Sequence, residues 1–191
     1  MRHANILRRD DAFVVVVDMQ ASVWNLVQRK KRVLQGVQLL LRAAPLLGLP
    51  VIATEQNPGK LGRTLPEVAE LLGDAPVIGK MAFSCWGEPV FTDAAGALGR
   101  GTAIVCGIET HICVLQTALD LLRAGYRTHV VADAVACRRE LDERTAVDHL
   151  RAAGVIITTI ETALFQLLER AGTDEFRAVS RLVKARAAAD A

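Results

Sequence analysis

Phe13-Val14-Val15-Val16-Val17-Asp18-Met19-Gln20 decides the fold. Its apolar, β-branched run lacks the polar alternation of a one-sided strand, which is the pattern of a strand covered on both faces in a parallel sheet. The run stops on Asp18, a carboxylate that is costly to bury; read alone, it is a helix cap or turn residue just past the strand. Outward from this stretch, short apolar strands alternate with amphipathic segments along nearly the whole chain. Strands fall near 12–18, 51–54, 76–79, 102–106, 128–132 and 155–159. Helices fall near 31–48, 65–72, 89–99, 111–125, 140–153 and 161–170, with a last helix over about 174–188. Gly48, Gly125 and Gly154 follow helical runs and precede strands, as C-terminal stop signals do. Right-handed crossovers then give an α/β fold, a three-layer α/β/α sandwich doubly wound around a mostly parallel six-stranded sheet of order 3-2-1-4-5-6.

Composition sets the same bounds. With 191 residues, 51% of them apolar, the chain can bury a full core, and no linker, repeat or low-complexity stretch divides it. Residues 1–191 read as one domain, with a core over about 10–170. A net charge of +2 spread along the chain builds no strong field for nucleic acid, and Arg29-Lys30-Lys31-Arg32 reads as a solvated helix start. No apolar run approaches the roughly 18 residues of a membrane helix. The N-terminus, with Arg2, His3, Arg8 and Arg9, lacks a secretory apolar core, so neither nucleic acid nor membrane is an expected partner and the cytoplasm is the expected location. Cys85, Cys106, Cys113 and Cys137 show no CxxC spacing and are expected to be reduced.

Three chemistry-bearing residues share one address. Asp18 closes the first strand, Lys80 follows Pro76-Val77-Ile78-Gly79, and Cys113 lies just past Thr102-Ala103-Ile104-Val105-Cys106, where a helix begins near Thr110. Each has an ordinary reading: a turn carboxylate, a solvated lysine, a small packed thiol. Together they sit at the carboxyl ends of parallel strands, the edge where open α/β sheets build ligand sites. In strand order 3-2-1-4-5-6, Asp18 and Cys113 face one crevice at the switch point and Lys80 reaches in from strand 3. A helix start and a nearby ammonium are suited to raising the thiolate fraction of a cysteine.

Histidines narrow the chemistry. His3, His111, His129 and His149 leave residues 4–110 without one, so no HxH, HExxH or Cys/His cluster is present and no metal is expected. His111 stands two residues before Cys113, and successive positions in a helical first turn point apart, so it reads as substrate-side or structural rather than as a base. Strand 1 ends in Asp18-Met19-Gln20 rather than glycines, which argues against a dinucleotide. No cofactor is expected.

Three motifs in this order, Val17-Asp18-Met19-Gln20, Gly79-Lys80-Met81-Ala82-Phe83-Ser84 and Gly107-Ile108-Glu109-Thr110-His111-Ile112-Cys113-Val114, resemble those of the isochorismatase-like cysteine hydrolases over about residues 10–170. Thr54-Glu55-Gln56-Asn57-Pro58 with Leu61-Gly62-Arg63-Thr64 is similar to the isochorismatase domain-containing subgroup. The resemblance implies a metal-independent hydrolase of a small amide or related C–N bond, with Cys113 the nucleophile, Asp18 the general base and Lys80 the cation steadying both. It further implies an oxyanion hole of Glu109 and Cys113 backbone N–H groups, an acyl-thioester intermediate, a cis peptide at Ile108–Glu109 and a homo-oligomer. Related nicotinamidases use a metal held by Asp and His residues that this chain lacks, and isochorismatases proper, which cleave a vinyl ether, lack the nucleophilic cysteine. Gln20, Trp24, Glu55, Gln56, Phe83 and Trp86 are candidate walls of a small-molecule pocket, with ordinary packing the competing reading for each aromatic. The alternatives are a binding or scaffold protein that retains the site, and a thiol redox protein pairing Cys113 with Cys85 or Cys106.

Overall fold

Strand β1 (Ala12–Val17) is buried along its whole length. The computed structural model, which describes residues 2–190, sets it inside a six-stranded sheet of order β3-β2-β1-β4-β5-β6. Its partners are β2 (Val51–Gln56), β3 (Val77–Lys80), β4 (Thr102–Ile108), β5 (Arg127–Ala136) and β6 (Ile156–Thr158), and every pairing is parallel. Side chains of a strand alternate between faces. Val14 and Val16 accordingly enter one core, beneath α2 (Lys30–Leu47), α4 (Pro66–Leu72), α8 (Ile160–Leu168) and α9 (Asp174–Asp190). Phe13, Val15 and Val17 enter the other, beneath α5 (Pro89–Ala97), α6 (Leu115–Arg123) and α7 (Glu140–Ala152). The doubly wound, three-layer architecture follows from that two-faced burial.

Two short helices, α1 (Ala21–Trp24) and α3 (Pro58–Leu61), lie in the loops after β1 and β2, with a single 3₁₀ turn over Cys85–Gly87 after β3. None has the length for a periodic signal. β5 is also longer than the sequence predicts, continuing past a register shift in which Val105 pairs with Val130 but Gly107 with Val135. The displaced backbone presents Asp133, whose Oδ1 accepts the Ile160 N–H at 2.8 Å and whose Oδ2 lies 2.9 Å from Arg186 of α9. A polar residue that reads as the end of a strand is thus a clamp on two helices.

Register brings the strand ends level. Val17 lies opposite Gly107 and Gln56 opposite Lys80, so the residues following β1, β2, β3 and β4 open onto one edge.

His129 of β5 is 1% exposed, and neither ring nitrogen has a hydrogen-bond partner among the described residues. Burial, helped by the Arg127 charge, lowers its pKa to about 4. The unfolded chain, with its histidine near ~6.5, therefore binds this proton first as pH falls. The neutral form's contribution is complete above that value and is lost as pH drops toward about 4. Urea melts should show a loss of up to roughly 3 kcal/mol from this group over that window, absent in His129→Leu. Equal pH slopes in the two proteins would refute the assignment.

Candidate functional site

Asp18 leaves the sheet in a left-handed conformation, φ 47°, which turns its side chain off the strand line. Its N–H donates to the Thr54 carbonyl at 3.1 Å, and its Oδ1 accepts from the Thr54 hydroxyl at 2.8 Å. Opposite, Gly107 presses so closely that an added Cβ would fall 2.1 Å from the Val17 oxygen, and its φ of 113° lies where side chains are strained. Only glycine lets β4 approach β1 here.

Lys80 ends β3 with its side chain fully buried. Its ammonium donates to Gln56 Oε1 at 2.6 Å, to the Phe83 carbonyl at 3.0 Å and to the Ala82 carbonyl at 3.2 Å. Those bonds engage all three protons. Asp18 Oδ2, 2.8 Å from Nζ, is therefore held by charge, and it accepts no hydrogen bond among the described residues. Burial works against the ammonium, but the Asp18 charge outweighs it and holds Lys80 above the ordinary lysine range.

Cys113 lies in a wide helical turn, Thr110–Val114, closed by the Val114 N–H on the Glu109 carbonyl at 3.2 Å and continuing into α6. The Ile108–Glu109 peptide bond before it is cis. The sulfur is buried beside Asp18, 4.0 Å from Gln56 Oε1. The sequence predicts an enriched thiolate at this position; the environment does the reverse. Burial first, then the Asp18 charge, push the Cys113 thiol well above the usual thiol range, and Lys80 opposes them only in part. The resting group is a neutral thiol beside the Asp18 carboxylate.

These groups border a cavity of about 260 Å³ with walls that are mainly apolar: Val23, Leu26, Leu61, Phe83, Ile108 and Ile112. Asp18, Cys113, Glu109 and Gln56 also line it, whereas Lys80 sits behind Asp18. Gln20 and Glu55 do not line the cavity. The Gln20 amide binds both the N–H and the carbonyl of Gln56, at 2.7 and 3.0 Å, while Glu55 accepts from the Thr64 N–H and hydroxyl and pairs with Arg63. Trp24 packs on the α2 core, and Trp86 stacks edge-on against Phe91 and Tyr126. His111 lies outside the lining, its Nε2 4.0 Å from Asp142.

Arg138 lines the mouth and was not legible as a site residue, although it follows β5 and so shares the strand-end address. Its guanidinium grips Glu109 through Nε and Nη2 at 3.1 and 2.7 Å. Thr54 carries no signal of its own as a site residue; a threonine within a strand looks like any β-branched residue. Among the described residues, no group of three or more His, Cys, Asp or Glu side chains is arranged to hold a metal.

The model of the isochorismatase domain matches residues 12–162. The secreted isochorismatase effector Isc1 of Phytophthora sojae is 40% identical over 173 residues, covering 88% of this chain and 82% of its own. Isochorismatase domain-containing protein 1 of Salmo salar is 39% identical over 154 residues and 78% of this chain, which spans only about half (53%) of that relative. A solved structure described as MAR1 ribonuclease from Caenorhabditis elegans superimposes with a TM-score of 0.88 at 32% identity, covering 93% of this chain and 91% of its own.

The Gly107 contact makes a sharp structural prediction. Gly107→Ala should lose more than about 2 kcal/mol or fail to fold, since backbone must move to admit the methyl group. Gly96→Ala, in helix α5 with nothing within 4 Å, should be neutral or gain up to about 1 kcal/mol. Thermal melts of the two variants decide it, and a Gly107→Ala protein as stable as the parent would contradict the close approach.

Proposed function

This chain belongs to the isochorismatase family, and on that premise we propose that it is a metal-independent cysteine hydrolase acting on a small amide or related C–N bond. One observation carries the reading: the Cys113 thiol, buried at a small apolar cavity, lies beside the Asp18 carboxylate, whose Oδ2 is held by the Lys80 charge at 2.8 Å and accepts no hydrogen bond among the described residues. A neutral thiol attacks a carbonyl carbon as its proton passes to Oδ2, so the S–C bond forms while Asp18 becomes neutral. The tetrahedral oxyanion is received by the backbone N–H groups of Glu109 and Cys113. Collapse breaks the C–N bond, and the Asp18 proton leaves with the amine. Water then attacks the thioester carbonyl as the same carboxylate takes one of its protons; the C–S bond breaks, that proton passes from Asp18 to the sulfur, and the carboxylic acid departs from the regenerated thiol.

A cavity of about 260 Å³ falls below the roughly 300–1,000 Å³ of drug-sized sites, which favours a small acyl group. The relatives' names invoke isochorismate and RNA. A thiol set against a general base is suited to acyl transfer, whereas a vinyl ether needs no nucleophilic sulfur. An RNA backbone calls for a basic track that a net charge of +2 does not provide. Assembly as a homo-oligomer and a cytoplasmic location belong to the same proposal.

A panel of small primary amides with ammonia detection is the direct test, with isochorismate included as a competitor reading. On whichever amide turns over, Cys113→Ser should lower turnover by about a thousandfold or more without changing the melting temperature, and Asp18→Asn should be similarly inactive. Turnover should survive exhaustive chelation. Near-native activity of a folded Cys113→Ser protein, or loss on chelation that zinc or manganese reverses, would overturn the mechanism. Selective iodoacetamide labelling of Cys113 without turnover of any amide would favour a binding or scaffold role.

A further inference from the structure

Thr54 touches neither the cavity nor the thiol, yet it holds Asp18 at two points. Its carbonyl accepts the Asp18 N–H at 3.1 Å and its hydroxyl donates to Oδ1 at 2.8 Å. The same hydroxyl oxygen lies 3.5 Å from Cys85 Sγ, at a position 1% exposed. A hydroxyl has one proton, and a carboxylate only accepts. The direction of the chain is therefore forced: Thr54 donates to Asp18, and the sulfur of Cys85 must be the donor to Thr54. Burial, with the Asp18 charge adding, pushes the Cys85 thiol up to about 11, so its proton stays in place at neutral pH. The Cys85 N–H in turn donates to the Thr117 hydroxyl at 2.9 Å, on the helix that follows Cys113.

We infer that Thr54 is a positioning residue: backed by the Cys85 thiol, its hydroxyl occupies Oδ1 of Asp18 and leaves Oδ2 as the atom that takes the Cys113 proton. A carboxylate bound at one oxygen cannot rotate freely, and with Lys80 set on the other side its remaining lone pair is aimed rather than averaged. Valine would fill the same volume. At a wholly buried position a hydroxyl is costly unless paired, and here its pairing is spent on the carboxylate. Cys85 thereby gains a role as a donor rather than as a redox partner.

The inference rests on Asp18 acting as the proton acceptor, and the experiment separates the two. The probe is iodoacetamide on the full chain, with the rate of Cys113 alkylation followed by mass spectrometry from acid to neutral pH. In that step the S–H bond breaks, an S–C bond forms, iodide leaves and the proton goes to Asp18. Thr54→Val should slow alkylation about ten- to a hundredfold, the effect of a lost hydrogen bond to a charged group. Thr54→Ser, which keeps the hydroxyl, should restore the rate. A Thr54→Val rate equal to the parent's, or a folded Thr54→Ser protein that behaves like the valine variant, overturns the inference. Should the valine variant not fold, Cys85→Ala must slow alkylation in the same direction, and an unchanged rate overturns it equally. If Asp18→Asn alkylates like the parent, the proton-acceptor reading itself falls; if Asp18→Asn is slow and Thr54→Val is silent, only the positioning inference falls.

Discussion

A lysine ammonium and an aspartate carboxylate 2.8 Å apart, both out of water, are the constraint around which this sheet edge is arranged. Neither charge is tolerable alone: removing one partner of such a pair typically costs about 3–5 kcal/mol. The pair also spans the sheet. Lys80 ends β3 and Asp18 follows β1, and these strands are not neighbours; β2 runs between them. The middle strand must therefore supply the polar groups beneath the bridge. Thr54 reaches one way to the carboxylate and Gln56 the other way to the ammonium, while Glu55, on the opposite side of the strand, ties down the loop that follows. Of three consecutive polar residues in this strand, two serve the ion pair and the third serves the loop.

The same pair explains the state of the thiol. A cysteine beside a lysine is commonly an activated one, but here burial and then the carboxylate charge outweigh the ammonium. The sulfur is kept protonated, and in the proposed mechanism its reactivity is conditional: it becomes nucleophilic only as its proton moves to the Asp18 carboxylate while a bond to carbon forms. Such a thiol is protected from oxidants that attack free thiolate.

Much of this was legible in the sequence because a parallel sheet enforces a long-range rule with a local signature. Uninterrupted apolar runs mark strands covered twice, and whatever follows them lands on one edge; Asp18, Lys80 and Cys113 could be placed together from that alone. The strand order followed from handedness and the alternation of elements. What could not be read was set by direction and by environment. Gln20, Glu55, Gln56 and Phe83 all lie near the crevice in sequence, but a rotation about one side chain decides which of them faces the cavity and which serves the backbone. The thiol's protonation depends on its depth and on the distance to a carboxylate remote in the chain. Arg138 follows a strand that outruns its apolar signature because the register shift before it is a tertiary feature.

One consequence lies in the way β1 ends. The strand turns aside at Asp18 while β2 continues to Gln56, which would leave the last peptide of β2 facing a gap. The Gln20 side chain fills that gap. Its amide oxygen takes the Gln56 N–H and its amide nitrogen gives to the Gln56 carbonyl, at 2.7 and 3.0 Å, with a second proton for the Gly62 carbonyl at 2.6 Å. A primary amide is here a counterfeit peptide, one more rung on a ladder whose upright has already departed. Glutamate has the shape but not the donor, and leucine has neither. The departure of the carboxylate from the strand is thus made possible by a forgery two residues later in the same chain.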